Sequence, residues 1–370
     1  MRAVRRLVLL GGGHSHAAVL KRFGAYPVAG VELVLVNPGR YAAYSGMIPG
    51  LIAGDYQWRQ CHIDLEKLAG RAGARFLDDR AAGIDPEARR VALAGGAALE
   101  YELLSIDVGS TLAGDAVPGA AQYAMSVKPV ERLLAAIEGL RERSRRGAVG
   151  RVAVVGAGAA GIEVALALQH RLRREGGSVP AFVVATDAPH VLPGYPARAI
   201  VERILGERGI GVLAGKAVTA VSASGLTLAG AQEVPADAVI WATGAAAPAW
   251  LSSTGLALDA RGFIGVWRTL QSISHPGVFA AGDCATLVDD PQPKSGVFAV
   301  RQGPVLAANL QRALAGQALA PFSSSSLALA LLNCGDHRAV ASWDGIALEG
   351  GWAWRWKDWI DRRFIAQYAI

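Results

Sequence analysis

The sequence predicts an α/β protein made of two nucleotide-binding units of the same grammar and a short C-terminal segment. Three observations predict it. An apolar run stops at Gly11-Gly12-Gly13 and gives way to a helical pattern. The same order returns at Arg151 to Val155, followed by Gly156-Ala157-Gly158-Ala159-Ala160-Gly161, with the two turns about 145 residues apart. That separation is too long for a solenoid repeat and right for two similar modules. Length agrees, because 370 residues exceed one typical domain.

Composition narrows the class. A hydrophobic content of 52% with 18% charged residues excludes a disordered or fibrous chain. The net charge of +6 suits anionic cofactors, an anionic membrane surface or nucleic acid without selecting among them. The densest basic run is Arg141, Arg143, Arg145, Arg146 and Arg151; it lacks interleaved aromatics, so it reads as a solvated helix end and no nucleic-acid partner is expected. Cys61, Cys284 and Cys334 are scattered and odd in number, which fits a reducing, cytoplasmic setting rather than a disulfide framework or a zinc site. The apolar run after the first arginines, Leu7 to Leu10, is too short for a signal peptide, and no stretch reaches membrane-spanning length.

The elements follow in order. Val4 to Leu10 reads as a strand, with a helix from about Ala17 and a second strand at Val31 to Val36 ending in Asn37-Pro38-Gly39. An amphipathic helix over Val130 to Arg145 leads into the second unit, whose helix runs to about Arg173 and whose next strand is Ala181 to Ala185. Val239 to Ala242 closes that unit. A strand at Val278 to Ala281 and a helix from about Val297 follow, then Ser323 to Ser326 as a flexible break before a tryptophan-rich tail from Leu327. The expected division is 1–115 and 249–320 for one domain, 116–248 for the other, and 321–370 for the tail.

The second glycine turn has full GxGxxG spacing. Gly156 permits the tight turn, Gly158 leaves room for a pyrophosphate, and Gly161 lets helix and strand pack closely, which is the Rossmann arrangement. The helix N-terminus then offers unpaired N–H groups to the phosphates. Asp187, or Thr186 beside it, is placed to accept from an adenosine ribose, and no adjoining arginine awaits a 2′-phosphate, so NAD is favoured over NADP. Glu163 is either a helix-dipole carboxylate or a polar contact to the nicotinamide end; both readings stay open.

The first turn departs from that pattern. Gly11 and Gly13 are present, but His16 stands where the third glycine belongs and is expected to hold helix and strand slightly apart. Asn37 replaces the strand-end acid and can accept from a ribose hydroxyl. With no third ligand nearby, His14 and His16 read as loop histidines beside a phosphate, and no metal is expected. Val278 to Asp283 is a strand ending in Gly282-Asp283, which puts a carboxylate within reach of a flavin's ribityl hydroxyls. Ile106-Asp107-Val108-Gly109-Ser110 and Trp241-Ala242-Thr243-Gly244 are strands ending in small residues, suited to crossings where Gly109 and Gly244 lie close to a cofactor.

Together these residues resemble the two-dinucleotide-binding flavoproteins, the pyridine nucleotide-disulfide oxidoreductase superfamily. Within it the chain looks most like the type II NADH:quinone oxidoreductases, and especially the bacterial branch linked to selenophosphate synthetase. That likeness rests on Gly11 to His16, Tyr44-Ser45-Gly46-Met47-Ile48-Pro49, Val300-Arg301-Gln302-Gly303-Pro304 and Trp356 to Phe364. The resemblance implies FAD on the first turn and Asp283, NADH on the second turn, and hydride transfer from NADH to flavin followed by electron delivery to an acceptor, a quinone first. Ala299 and Gln302 map onto an alanine-and-glutamine segment near the flavin. Tyr44 to Pro49 and Gln302 are the candidates for the acceptor-side wall, with ordinary packing as the alternative. The chain has no CxxC or CxxxxC pair and no cysteine between Cys61 and Cys284, so neither a disulfide reductase nor a sulfide:quinone oxidoreductase is expected. A soluble reductase of a selenium, sulfur or other small acceptor and a flavin-based redox sensor remain open.

In the tail, Trp352, Trp356, Ile360, Phe364 and Tyr368 recur every fourth residue, with Trp359 close to the same face, and predict one apolar helical stripe. Arg355, Asp358, Asp361 and Arg362 fall opposite, Arg363 intrudes on the apolar face and Trp354 lies off it. Such a helix either lies on the inner face of the cytoplasmic membrane as a peripheral anchor or packs back onto the first domain.

Overall fold

Branched and long aliphatic residues in unbroken runs form strands buried on both faces. In the computed structural model, which describes residues 5–114, 116–176, 178–323 and 329–369, these runs are the centres of two sheets. Val4, Ser324 to Ser326 and Leu327, named above, lie outside the described residues.

The chain forms β1 (Arg5–Leu10), α1 (His14–Ala25) and β2 (Val31–Val36), then a short helix α2 (Ile48–Ala53), then β3 (Arg75–Leu77) and β4 (Leu103–Ile106). It crosses to β5 (Ala124–Ser126), α3 (Val130–Arg145), β6 (Arg151–Val155), α4 (Ala159–Glu175), β7 (Ala181–Ala185), β8 (Ile210–Leu213) and β9 (Ala238–Trp241). It returns through β10 (Val278–Ala280) and α5 (Gly296–Leu314), and ends in β11 (Ala330–Asn333), β12 (Ala339–Trp343), β13 (Ile346–Gly350) and α6 (Gly351–Ala366).

The first sheet has the order β10-β4-β1-β2-β3 and the second β5-β9-β6-β7-β8, each with all strands parallel. Four strands of each sheet follow one order, β4-β1-β2-β3 and β9-β6-β7-β8, so the repeat in the glycine turns is a repeat of topology, while the fifth, edge strand comes last in the chain in the first sheet (β10) and first in the second (β5). Each sheet has its own apolar core. The two crossings between them lie side by side: Thr111-Leu112 pairs antiparallel with Ala245-Ala246, and Trp241 Nε1–H donates to the Ala113 carbonyl at 3.0 Å. The helix α2 belongs to the first half of the sequence yet packs on α4, with Ile48, Ile52 and Ala53 in the core of the second sheet.

Two expectations need correction. The basic run is a helix end whose charges are paired rather than merely solvated: Arg141 bridges Glu138 and Glu175, while Arg145 and Arg146 hold Glu142. The tail stripe is split. Ala353, Lys357, Asp361, Phe364 and Tyr368 face inward, whereas Trp352, Trp356 and Trp359 are exposed. Small Ala353 fits against Ala339 and Ala341 of the antiparallel sheet. Lys357 and Asp361 can be buried because they pair at 2.9 Å and the ammonium also donates to the Gly46 carbonyl at 2.7 Å. Asp358 accepts from the Tyr56 hydroxyl at 2.8 Å. Arg363 is exposed and lies over the Trp359 ring rather than on the apolar face.

Candidate functional site

The central strand of each sheet ends in a glycine turn, and the helix that follows points its unpaired N–H groups across the strand ends. In the second unit Gly156 has φ +106, and a Cβ on Gly161 would lie 2.0 Å from the Gly156 carbonyl oxygen, so helix and strand touch there. A Cβ on Gly158 would meet nothing within 4 Å: the space over the N-terminus of α4 is open, and no side chain caps it. Thr186 is buried at the end of β7 and its hydroxyl accepts from the Ala188 N–H at 3.2 Å, while Asp187 is exposed. Gly244 lies just past β9 with open space where a Cβ would be. Glu163 is half-buried on α4 and accepts from the Asn333 N–H at 2.7 Å, and burial pushes its carboxyl up to about 7.

In the first unit, α1 starts at His14, three residues before the expected point. The cause is Asp107 at the end of β4, whose Oδ2 accepts from the Ser15 N–H at 2.9 Å and the His16 N–H at 3.2 Å and so caps the helix from another strand. His16 is therefore in the first turn of α1, not in a loop. Its ring is wholly buried, with Nδ1 at 2.6 Å from the Gly11 carbonyl oxygen and Nε2 at 2.8 Å from Ser105 Oγ, so it fills an interval that the second unit closes at Gly161, where a Cβ would lie 2.0 Å from the Gly156 carbonyl oxygen. Both ring nitrogens are satisfied there. Burial holds it neutral, its pKa lowered to about 4.

The turn borders an open cleft of about 230 Å³ whose lining includes Gly11, Gly13, His14, Asn37, Gly109 and Asp283. Asn37 Oδ1 accepts from the Gly12 N–H at 2.7 Å, so the residue predicted to meet a ribose also braces the turn. Asp283 Oδ2 accepts from Lys128 Nζ at 3.1 Å and Ser110 Oγ at 3.2 Å. The Gly282 N–H donates to Gln302 Oε1 at 2.7 Å. Gly296 and Ala299 bring the N-terminal turn of α5 to the same cleft. Tyr44 stands at one side, T-shaped to His14 at 5.4 Å and stacked on Phe364 of α6 at 4.3 Å. Burial, then the Asp361 charge, push its phenol far up. Among the candidates for an acceptor wall, Pro49 is buried in the first turn of α2 and Gln302 is buried behind Gly282.

Sequence reasoning missed Asp107 and Lys128 as cleft residues. An acid at the end of an otherwise apolar strand was the available signal for Asp107; nothing local marks Lys128. All three cysteines are free and buried, and burial raises each thiol to about 12. No set of three or more metal-ligating side chains comes together among the described residues.

The residues fit a dinucleotide at each turn: the cleft carries a glycine-lined approach, a carboxylate at its far end and the N-termini of two helices. Comparison with known proteins agrees. Residues 5–303 match the family described as pyridine nucleotide-disulphide oxidoreductase. An NADH dehydrogenase-like protein of Mycobacterium tuberculosis is 33% identical over 234 residues, 61% of this chain and 58% of that relative's length. An alternative NAD(P)H-ubiquinone oxidoreductase of Arabidopsis thaliana is 26% identical over 93% of this chain and 75% of its own. In fold, the sulfide:quinone oxidoreductase of Aquifex aeolicus superposes with a TM-score of 0.84 at 20% identity, covering 98% of this chain and 91% of the other.

Proposed function

Because the chain belongs to the pyridine nucleotide-disulphide oxidoreductase family, we propose that it is an FAD-dependent NADH oxidoreductase that delivers electrons to a quinone without a redox-active disulfide. The observation that carries this reading is the pair of glycine turns on two sheets that share a four-strand order, one of them facing Asp283 across a cleft. FAD and NADH bound there would supply the hydride and electron transfer. Residues 1–115 and 249–320 hold FAD, and 116–248 hold NADH. Gly11, Gly13 and the end of α1 receive the diphosphate, and Asp283 receives the ribityl hydroxyls, its carboxylate steadied by Ser110 and Lys128. The N-terminus of α5 faces the flavin ring and favours negative charge on it. Gly156, Gly158 and Gly161 receive the second diphosphate, Asp187 the ribose, and Glu163 stands at the nicotinamide end.

The relatives' names favour a quinone acceptor, and the free, buried cysteines favour a route without thiols. Tyr44, with His14 behind it, is the residue best placed on the acceptor side. The reading of a selenophosphate synthetase-linked branch rests on the resemblance of Gly11 to His16, Tyr44 to Pro49, Val300 to Pro304 and Trp356 to Phe364. Among the described residues no helix is long and apolar enough to cross a membrane. The exposed Trp352, Trp356 and Trp359, set among Arg355, Arg362 and Arg363, support contact with a membrane surface. Stopped-flow mixing tests the reading: the purified protein is yellow, NADH bleaches the flavin, and a short-chain quinone restores it. Asp283→Ala is expected to lose most of the flavin. A colourless protein that cannot be reconstituted with FAD overturns the proposal.

A further inference from the structure

Asp107 is 3% exposed and lies beneath the glycine turn rather than at its rim. A Cβ on Gly13 would lie 2.2 Å from its carboxyl carbon, and one on Gly282 would lie 2.5 Å from its Oδ1. The carboxyl group therefore fills the space between the two turns that, in the function proposed above, take the diphosphate and the ribityl chain of FAD. It also holds the Ser15 and His16 N–H groups, so it draws on the same helix end that would attract the diphosphate. A charged Asp107, itself shut off from water, and a diphosphate drawn to the same helix end repel one another.

We propose that Asp107 is a cofactor-positioning residue whose carboxyl takes up a proton from solvent when FAD binds, so that the protein holds flavin tightly with Asp107 neutral and loosely with it charged. The proton goes onto a carboxyl oxygen as the diphosphate enters and returns to solvent as it leaves; no bond to the cofactor forms and nothing is oxidised.

The groups that face Asp107 are Asp283 and Cys284 from the loop after β10, and His14 and His16 from α1, with Lys128 across the cleft. Burial holds both histidines down to about 4 and the Cys284 thiol up to about 12. Burial, then the Asp283 charge, push Asp107 up to about 7 against the pull of its two N–H donors. An anion bound beside it raises it further. The bound state thus carries more protons than the free state above neutrality, and affinity falls as pH rises, by at most about tenfold per pH unit for one proton.

The test follows flavin leaving the diluted holoprotein, read as the rise in free flavin fluorescence between about pH 5.5 and 8.5. The wild type is expected to lose affinity about tenfold or more across that range, and Asp107→Asn to change by less than about twofold. Asp107→Ser, smaller and still able to accept the Ser15 N–H, serves if the amide variant does not fold. A wild type whose flavin release ignores pH overturns the proposal, as does a full slope kept in the variants. A protein without flavin at any pH overturns the proposed function instead.

Discussion

His16 occupies the slot of the third glycine, and what it does there depends on Ser105, 89 residues away in sequence. The departure from GxGxxG is legible in the sequence, but the direction of the ring is not. Restoring the motif with His16→Gly is expected to cost about 3 kcal/mol, since it leaves a cavity and strips a partner from the Gly11 carbonyl and the Ser105 hydroxyl. Urea unfolding of the holoprotein measures it; an unchanged midpoint refutes the account. The same ring predicts a pH effect. Unfolded histidine binds a proton below about 6.5 and His16 in the fold only near 4, so stability is lost as pH falls through that window, by up to about 3 kcal/mol. His14 is held down to about 4 by burial as well, so His16→Gly should reduce the slope in that window and leave His14's share. Replacing Cys61, Cys284 and Cys334 with serine should leave flavin reduction by NADH largely intact, at some cost in stability because each site is buried. Loss of reduction with FAD still bound would show that a thiol takes part. With no arginine adjoining Asp187, NADH should reduce the flavin faster than NADPH, and equal rates would move ribose recognition elsewhere.

The helix α6 was legible as a helix from its four-residue spacing, while its inner face was not. Charge normally marks the outer side of an amphipathic helix. Here the neighbours that make a buried charge tolerable, the Gly46 carbonyl that accepts from Lys357 and the Tyr44 hydroxyl beside Asp361, come from segments roughly 300 residues upstream, beyond any local pattern. Breaking the pair with Lys357→Met should destabilise the docked tail by about 3–5 kcal/mol, because Asp361 is left buried and uncompensated. The double change Lys357→Met with Asp361→Leu should recover most of that loss. Thermal melts of both variants decide it: equal damage in single and double forms would mean that packing, not charge, holds the helix. The start of α1 teaches the same lesson at smaller scale, since its first turn is set by a carboxylate on β4.

At the scale of the whole molecule, the two parallel sheets could be read from two glycine turns and their flanking apolar runs, because local chemistry dictates each turn. Of the cleft lining, Gly11, Gly13, His14, Asn37, Gly109 and Asp283 could be singled out from their motifs, whereas Asp107 and Lys128 were not, since the lining is gathered from residues 11 to 299. The exposed tryptophans of α6 give this scale its own prediction. In liposome co-sedimentation at low salt the full chain should pellet with anionic vesicles and be released by salt, and a chain cut before Gly351 should not. Both staying in the supernatant, with FAD retained, would make the tail a structural cover. The antiparallel pairing of Thr111-Leu112 with Ala245-Ala246 has a plainer consequence. Entry to and exit from the second sheet are adjacent strands of one ribbon, so the stretch between is an insertion: joining the cut ends by a tight turn would keep the first sheet's strand order but strip Ile48, Ile52 and Ala53 of α2 of the core they pack into.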